Sequence, residues 1–257
     1  MTSGKGGVGK TTFSVNLAVA CAQLGHRVLL FDADLGMANV HIFAGVNPKA
    51  TLLDVVDGRA TLDSVITPGP CGVQLICGAS GIGRMAELSA QVLDALGREL
   101  LRVASEFDVL ILDTGAGIAS SVTHFLGLAQ DTVVVATPNL ASTLDAYGVI
   151  KLAHESHFTT RMHLLINQAD NEQQANRVME RITGCSNRFL HSALSTLGFL
   201  QRDPSIEQAN QSRQPITMSN PANSNALRIA AIAARLAGET ATSIYHANAH
   251  AQEHAAA

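Results

Sequence analysis

Residues 3–12 read SGKGGVGKTT, and this stretch decides the fold. Gly4, Gly9, Lys10 and Thr11 occupy the fixed positions of G-x-x-x-x-G-K-[ST], the pattern of a glycine-rich loop that cradles phosphate. Gly4, Gly6, Gly7, Val8 and Gly9 would turn successive backbone N–H groups toward phosphate oxygens. A helix starting near Lys10 adds its positive end. Lys10 would bridge the outer phosphates, the Thr11 hydroxyl would ligate Mg²⁺, and Thr12 would offer a hydroxyl to the inner phosphate. The bland alternative is a glycine-rich turn that binds nothing. Two features are unusual. A second lysine, Lys5, stands inside the variable part of the loop, and only three residues precede it, although such loops follow a buried strand.

Outward from the loop, helical and strand patterns alternate. TTFSVNLAVACAQLG is apolar at helical spacing and stops at Gly25; HRVLLFDAD is a short apolar run ending in acids. GVQLICG, DVLILDTG, DTVVVATP, RMHLLINQ and LSTLGFL read as further strands. Helical patterns lie between them, and the last is SNALRIAAIAARLAG. This order predicts an α/β fold: a P-loop NTPase with a doubly wound, mostly parallel sheet, helices on both faces, and a truncated first strand. A missing central strand would leave buried backbone groups unpaired, at a cost. The domain is expected over 1–239, with a low-complexity Ala/His tail over 240–257. His246, His250 and His254 recur there at a spacing of four, and a disordered tail is favoured over a metal-binding face.

Ligands in such folds sit at the carboxyl ends of strands, where the unusual residues cluster: Asp32, Asp34, Asp113, Pro138 and Asn167. Asp32 and Asp34 fit either turn-capping or the orientation of a water for in-line attack. Asp113 closes an apolar strand and fits an acid that supports Mg²⁺ through water.

The chain has 257 residues, 47% of them apolar and 15% charged, with a net charge of −4. That suits a globular core and argues against a broad nucleic-acid footprint, which needs a basic excess. Cys21, Cys71, Cys77 and Cys185 form no C-x-x-C pair and read as small buried hydrophobes kept reduced. The first residues form no leader, and no apolar run is long enough to span a bilayer, so a cytoplasmic protein is expected.

The same residues carry a resemblance. SGKGGVGKTT is similar to the deviant phosphate loop of the MinD/ParA family of ATPases, in which the early lysine is a signature residue. DTGAG and DAYGVIK resemble the branch of that family that regulates flagellar number. The resemblance extends to about Leu236. It implies ATP and Mg²⁺ as ligands, an ATP-dependent homodimer in which Lys5 reaches the opposite nucleotide, and slow, partner-stimulated hydrolysis. It implies Asp34 as the hydrolytic acid, Asp113 as the metal-supporting acid, and Asn167 as a reader of adenine. Arg202, Asp203 and Pro204 would flank the base. The implied partners are the flagellar GTPase FlhF or a flagellar transcription regulator, with peripheral contact at the inner face of the membrane. His41 departs from the usual aspartate, and Gln201 from a common proline. The rival readings are a ParA-type DNA-partitioning ATPase, which needs a basic patch near the C-terminal helices, and a MinD-type division-site ATPase.

Overall fold

The computed structural model describes residues 1–238. The expected tail, with its three histidines, lies outside the described residues. Seven strands form the frame: β1 (Val28–Ala33), β2 (Ile66–Pro68), β3 (Gln74–Ile76), β4 (Val109–Thr114), β5 (Asp131–Ala136), β6 (Arg161–Ala169) and β7 (Ser195–Gln201). The helices are α1 (Lys10–Gln23), α2 (Val40–Phe43), α3 (Leu52–Val56), α4 (Gly83–Ala86), α5 (Ala90–Ala104), α6 (Ser120–Leu128), α7 (Leu140–Glu155), α8 (Glu172–Leu190), α9 (Pro204–Gln211), α10 (Ile216–Ser219) and α11 (residues 224–238).

Four strands pair in the order β2-β3-β1-β4 and three in the order β5-β6-β7; every pairing is parallel except β2 with β3. Residues 1–3 close the seam between the two groups. Thr114 N donates to Met1 O at 3.2 Å and Gly117 N to Ser3 O at 2.8 Å on the β4 side. Thr2 N donates to Val133 O and Val135 N to Thr2 O, both at 2.9 Å, on the β5 side. The short first stretch expected from the sequence therefore still pairs on both sides. Successive backbone groups of an extended chain point to opposite sides, so three residues can bond both neighbours.

Alternation along the strands supplies two buried faces. Val28 and Leu30 of β1 pack in one cluster with Phe13, Leu17 and Cys21 of α1. Leu29, Phe31 and Ala33 turn the other way, onto Leu93, Leu96 and Leu100 of α5. In β5, Val133 and Val135 join the first face, whereas Val134 and Ala136 join Val149 and Ile150 of α7. The first face runs through both strand groups, so they form one layer. It also takes Ile229, Ile232, Ala233 and Leu236 of α11, which is the packed final helix that its apolar spacing predicts.

Helix α1 is buried on nearly all sides, so its polar residues need internal partners. Asn16 Oδ1 accepts from Thr217 N at 3.0 Å, joining α1 to α10, and Ser14 bonds Asp113. Side-chain caps fix other helix starts: Ser89 for α5, Asn139 for α7, Asn171 for α8 and Asp203 for α9. Each such cap is worth about 1 kcal/mol. No described helix is long and apolar enough to cross a membrane.

Candidate functional site

The loop is shaped by two close approaches. A Cβ on Gly4 would lie 2.3 Å from the backbone carbonyl of Asp145, so α7 can rest directly against the loop only because residue 4 is glycine. Gly9 has φ +90°, and a Cβ there would lie 2.3 Å from Asn167 Nδ2. Between them, Gly6 and Gly7 face open space.

The two lysines differ in setting. Lys10 opens α1 and is buried; its Nζ donates to Ser3 Oγ at 2.8 Å, and Ser3 Oγ donates to Lys5 O at 2.8 Å. Burial lowers the Lys10 pKa, while Asp113 and Asp34 pull it back up. Lys5 has an exposed side chain at the edge of a cavity of about 410 Å³. Gly6, Gly7 and Val8 line the same cavity, opposite Thr137, Pro138 and Asn139 after β5.

Strand register brings the acids together. Asp32 pairs with Asp113, and Ala33 with Thr114, across β1 and β4. The segments that follow therefore emerge side by side, and a Cβ on Gly115 would lie 3.4 Å from Asp34 Oδ1. Asp113 is fully buried. Its Oδ2 accepts from Thr11 Oγ1 and its Oδ1 from Ser14 Oγ, each at 2.7 Å. Burial raises its pKa against the pull of these two hydroxyls and of nearby positive charge. Asp32 is also buried, and burial together with the Asp113 charge raises its pKa well above the ordinary carboxylate value. Asp32 Oδ1 accepts from Asp34 N, and Oδ2 from Asn39 N and Val40 N, at 3.0–3.2 Å. Of its two sequence readings, the geometry therefore gives Asp32 the turn-capping one. Asp34 is half-buried, and its Oδ1 accepts from Met37 N at 3.0 Å.

Asn167 lies at the end of β6 with both side-chain groups engaged by backbone. Its Nδ2 donates to Val8 O at 2.7 Å and its Oδ1 accepts from Gln168 N at 2.9 Å. It fastens β6 to the loop, whereas Gln168, Asp170, Gln174 and Arg202 line the cavity beside it. Asp203 turns away from that cavity to cap α9, accepting from Ser205 N at 2.8 Å and Asn223 Nδ2 at 2.7 Å. Thr12 Oγ1 accepts from Asn210 Nδ2 at 3.2 Å, which leaves its own proton free to donate. His41 sits on α2, and burial, reinforced by Arg213, lowers its pKa. Burial pushes the Cys21 thiol up to about 11 and that of Cys77 up to about 12, which suits inert, packed thiols, whereas Cys71 and Cys185, expected to be buried, are exposed.

Ser3, Ser14 and Asp170 are the site residues that motif reading missed. Ser14 had a usable signal, since it lies one helical turn beyond Thr11 on the same face.

A hydroxyl and a carboxylate at the loop are hard oxygen donors that suit Mg²⁺. No group of three or more His, Cys, Asp or Glu able to hold a metal occurs among the described residues.

A glycine loop between a central strand and a buried helix, two acids at adjacent strand ends and a cavity at the sheet's carboxyl edge define a P-loop NTPase. The family model for the CobQ/CobB/MinD/ParA nucleotide binding domain matches residues 1–216, and the chain belongs to that family. It is 40% identical over 236 residues to antiactivator FleN of Pseudomonas aeruginosa, covering 92% of this chain and 84% of that protein. It is 36% identical over 183 residues to the flagellum site-determining protein YlxH of Helicobacter pylori, covering 71% of this chain and 61% of that protein. The septum site-determining protein MinD of Pyrococcus horikoshii, solved in complex with Mg-ADP, superposes with a TM-score of 0.79 at 23% identity, over 93% of this chain and 96% of that one. That likeness shows the fold.

Proposed function

We propose that the chain is an ATPase in which ATP joins two copies, slow hydrolysis releases them, and the switch regulates flagellar number or placement. The observation that carries the mechanism is the contrast between the lysines. Lys10 is buried and held by Ser3 within its own loop, while Lys5 is exposed at the cavity edge. A lysine held inside the loop and a second one beside the opening suit different duties, one toward its own nucleotide and one toward that of a second copy. Met37, Ile118, Leu140 and Leu144 are exposed apolar residues on the segments after β1, β4 and β5. A second copy would cover them.

In this reading Lys10 and the loop N–H groups hold the outer phosphates, and Asp34 orients the attacking water. Asp32 keeps the segment carrying Asp34 folded. Thr11, and Asp113 through water, would hold Mg²⁺, which supplies charge neutralisation at the phosphates. The flagellar role is supported by the similarity to the flagellum site-determining protein YlxH and to the antiactivator FleN. Its partner would be FlhF or a flagellar transcription regulator that reads the closed dimer. Size-exclusion chromatography with ATP and with ADP tests the switch, and counting flagella after deletion of the gene tests the role. A chain that stays monomeric with ATP, or a deletion that leaves flagellation unchanged, overturns the corresponding half.

One observation favours a DNA-partitioning reading. Arg177, Arg181 and Arg188 are exposed along α8, a local basic stripe on an acidic chain. An ATP-dependent gel shift that weakens with salt would support it.

A further inference from the structure

The chain turns sharply after α9. Arg213 N donates to Asn210 O and Gln214 N to Ala209 O, each at 3.0 Å, and this pair of bonds closes the helix around a residue in the left-handed region. That residue is Arg213, at φ +56°. Backbone chemistry favours glycine at such a position, because a Cβ is strained there. Strain of this kind persists where surrounding contacts hold it, and here the contacts are those of the side chain.

The Arg213 side chain reaches the end of α2. Its Nη2 donates to Val46 O at 3.1 Å and to Asn47 Oδ1 at 3.2 Å, and its Nε to Ile42 O at 3.4 Å. The backbones meet as well: a Cβ on Gly45 would lie 2.5 Å from Arg213 O. Two helix ends thus abut, and a guanidinium fork ties one to the other. The connection continues in both directions. Asn210, in the last turn of α9, donates from Nδ2 to Thr12 Oγ1 at 3.2 Å. On the far side, Asp32 accepts from Asp34 N and from Asn39 N and Val40 N at the start of α2. Asp32 therefore holds the start of α2 and the segment carrying Asp34, and Arg213 holds the end of α2. A helix of four residues has little cohesion of its own and depends on such anchors.

We infer that Arg213 is a positioning residue for ATP hydrolysis: by clamping the end of α2 to the turn after α9, it fixes the segment that carries Asp34 relative to the phosphate loop. The inference rests on the reading of Asp34 above as the group that orients the attacking water. Arg213 touches no reacting atom and acts through α2. The loop and Lys10 hold the phosphates without it, so losing the clamp leaves nucleotide binding in place and slows the chemistry. Misplacing a catalytic group by about 1 Å costs about a hundredfold in rate.

The test is steady-state hydrolysis of ATP with Mg²⁺ by the full chain, for the wild type, Arg213→Gly, Arg213→Met and Asp34→Ala, beside thermal melting and size-exclusion chromatography with ATP. Glycine relieves the left-handed strain and methionine keeps it, but neither can donate a side-chain hydrogen bond. Both Arg213 variants are expected to lose about tenfold or more in kcat, with KM and the share of dimer close to the wild type. Arg213→Gly is expected to melt higher than Arg213→Met, so that activity follows the donors while stability follows the backbone. Wild-type kcat in Arg213→Gly, or a loss of kcat that comes with a loss of dimer or a matching rise in KM, overturns the inference. If Asp34→Ala is inactive at the same time, the reading of Asp34 survives that failure. An Asp34→Ala variant that hydrolyses ATP at the wild-type rate overturns the Asp34 reading, and this inference with it.

Discussion

Thr11 Oγ1 donates a 2.7 Å hydrogen bond to Asp113 Oδ2, joining two metal-site candidates that stand 102 positions apart in the chain. Ser14 donates to the other oxygen of the same carboxylate. The two hydroxyls differ in place: Thr11 faces the loop, and Ser14 is buried in α1. Thr11→Ala is expected to remove the Mg²⁺-dependent part of ATP affinity. Ser14→Ala is expected to lower stability by about 1–3 kcal/mol, by leaving a buried carboxylate oxygen without a partner, and to keep the Mg²⁺ dependence. Titration with and without Mg²⁺, beside thermal melting, checks both; loss of the Mg²⁺ dependence in Ser14→Ala would contradict the division.

Lys5 is exposed and outside every ion pair found among the described residues, so its removal should leave the fold untouched. Lys5→Ala in an Asp34→Ala background is expected to abolish ATP-dependent dimers while leaving monomer nucleotide binding largely intact. Size-exclusion chromatography with ATP reads the outcome, and dimers that persist in the double variant would rule out the role proposed for Lys5.

The glycines of the loop should separate by what surrounds them. Gly4→Ala would drive a Cβ into the backbone of α7 at Asp145, whereas Gly6→Ala would meet nothing within 4 Å. Overpacking of the first kind costs typically about 1–3 kcal/mol. Gly4→Ala is expected to lower the melting temperature and ATP affinity together, and Gly6→Ala to leave the melting temperature within error. Equal melting temperatures for the two variants would show that α7 yields freely.

Asp32 makes a pH signature. Its folded pKa is raised, so the stability it contributes is full below its unfolded value near 3.8 and is lost as pH rises through the folded value. Asp32→Asn has no such dependence. The melting temperature of the variant relative to wild type is expected to climb as pH rises above about 4. A flat difference across that range would mean that the carboxylate is not strained by its charge.

The phosphate loop and Asp113 were legible because their chemistry needs fixed residue types at fixed spacing. β1, β4 and β5 were legible as short apolar runs between helical patterns. β2 was not, since Ile66–Pro68 is three residues long and is a strand only through its antiparallel pairing with β3. α9 is hard to see in the sequence although Asp203 followed by Pro204 is a cap before a favoured first-turn residue, because the pair also suits a loop beside the base. Asp170 sits in NQADN, which reads as a turn in isolation. Only the fold brings Arg202, 32 positions later, against it. The placement of Asn167 at a strand end was legible, but its grip on Val8 O was not, because a side chain's partner is not written in spacing.

The seam at residues 1–3 carries one more consequence. Met1 is bonded to β4, Ser3 to Gly117 just beyond it and Thr2 to β5, and the loop grows directly out of Ser3. Whatever tightens the loop also clamps the two halves of the sheet, so ligand occupancy and cohesion of the halves are thermodynamically linked. Without a nucleotide the molecule should exchange amide hydrogens fastest along this suture, and with one bound the suture should become its stiffest line.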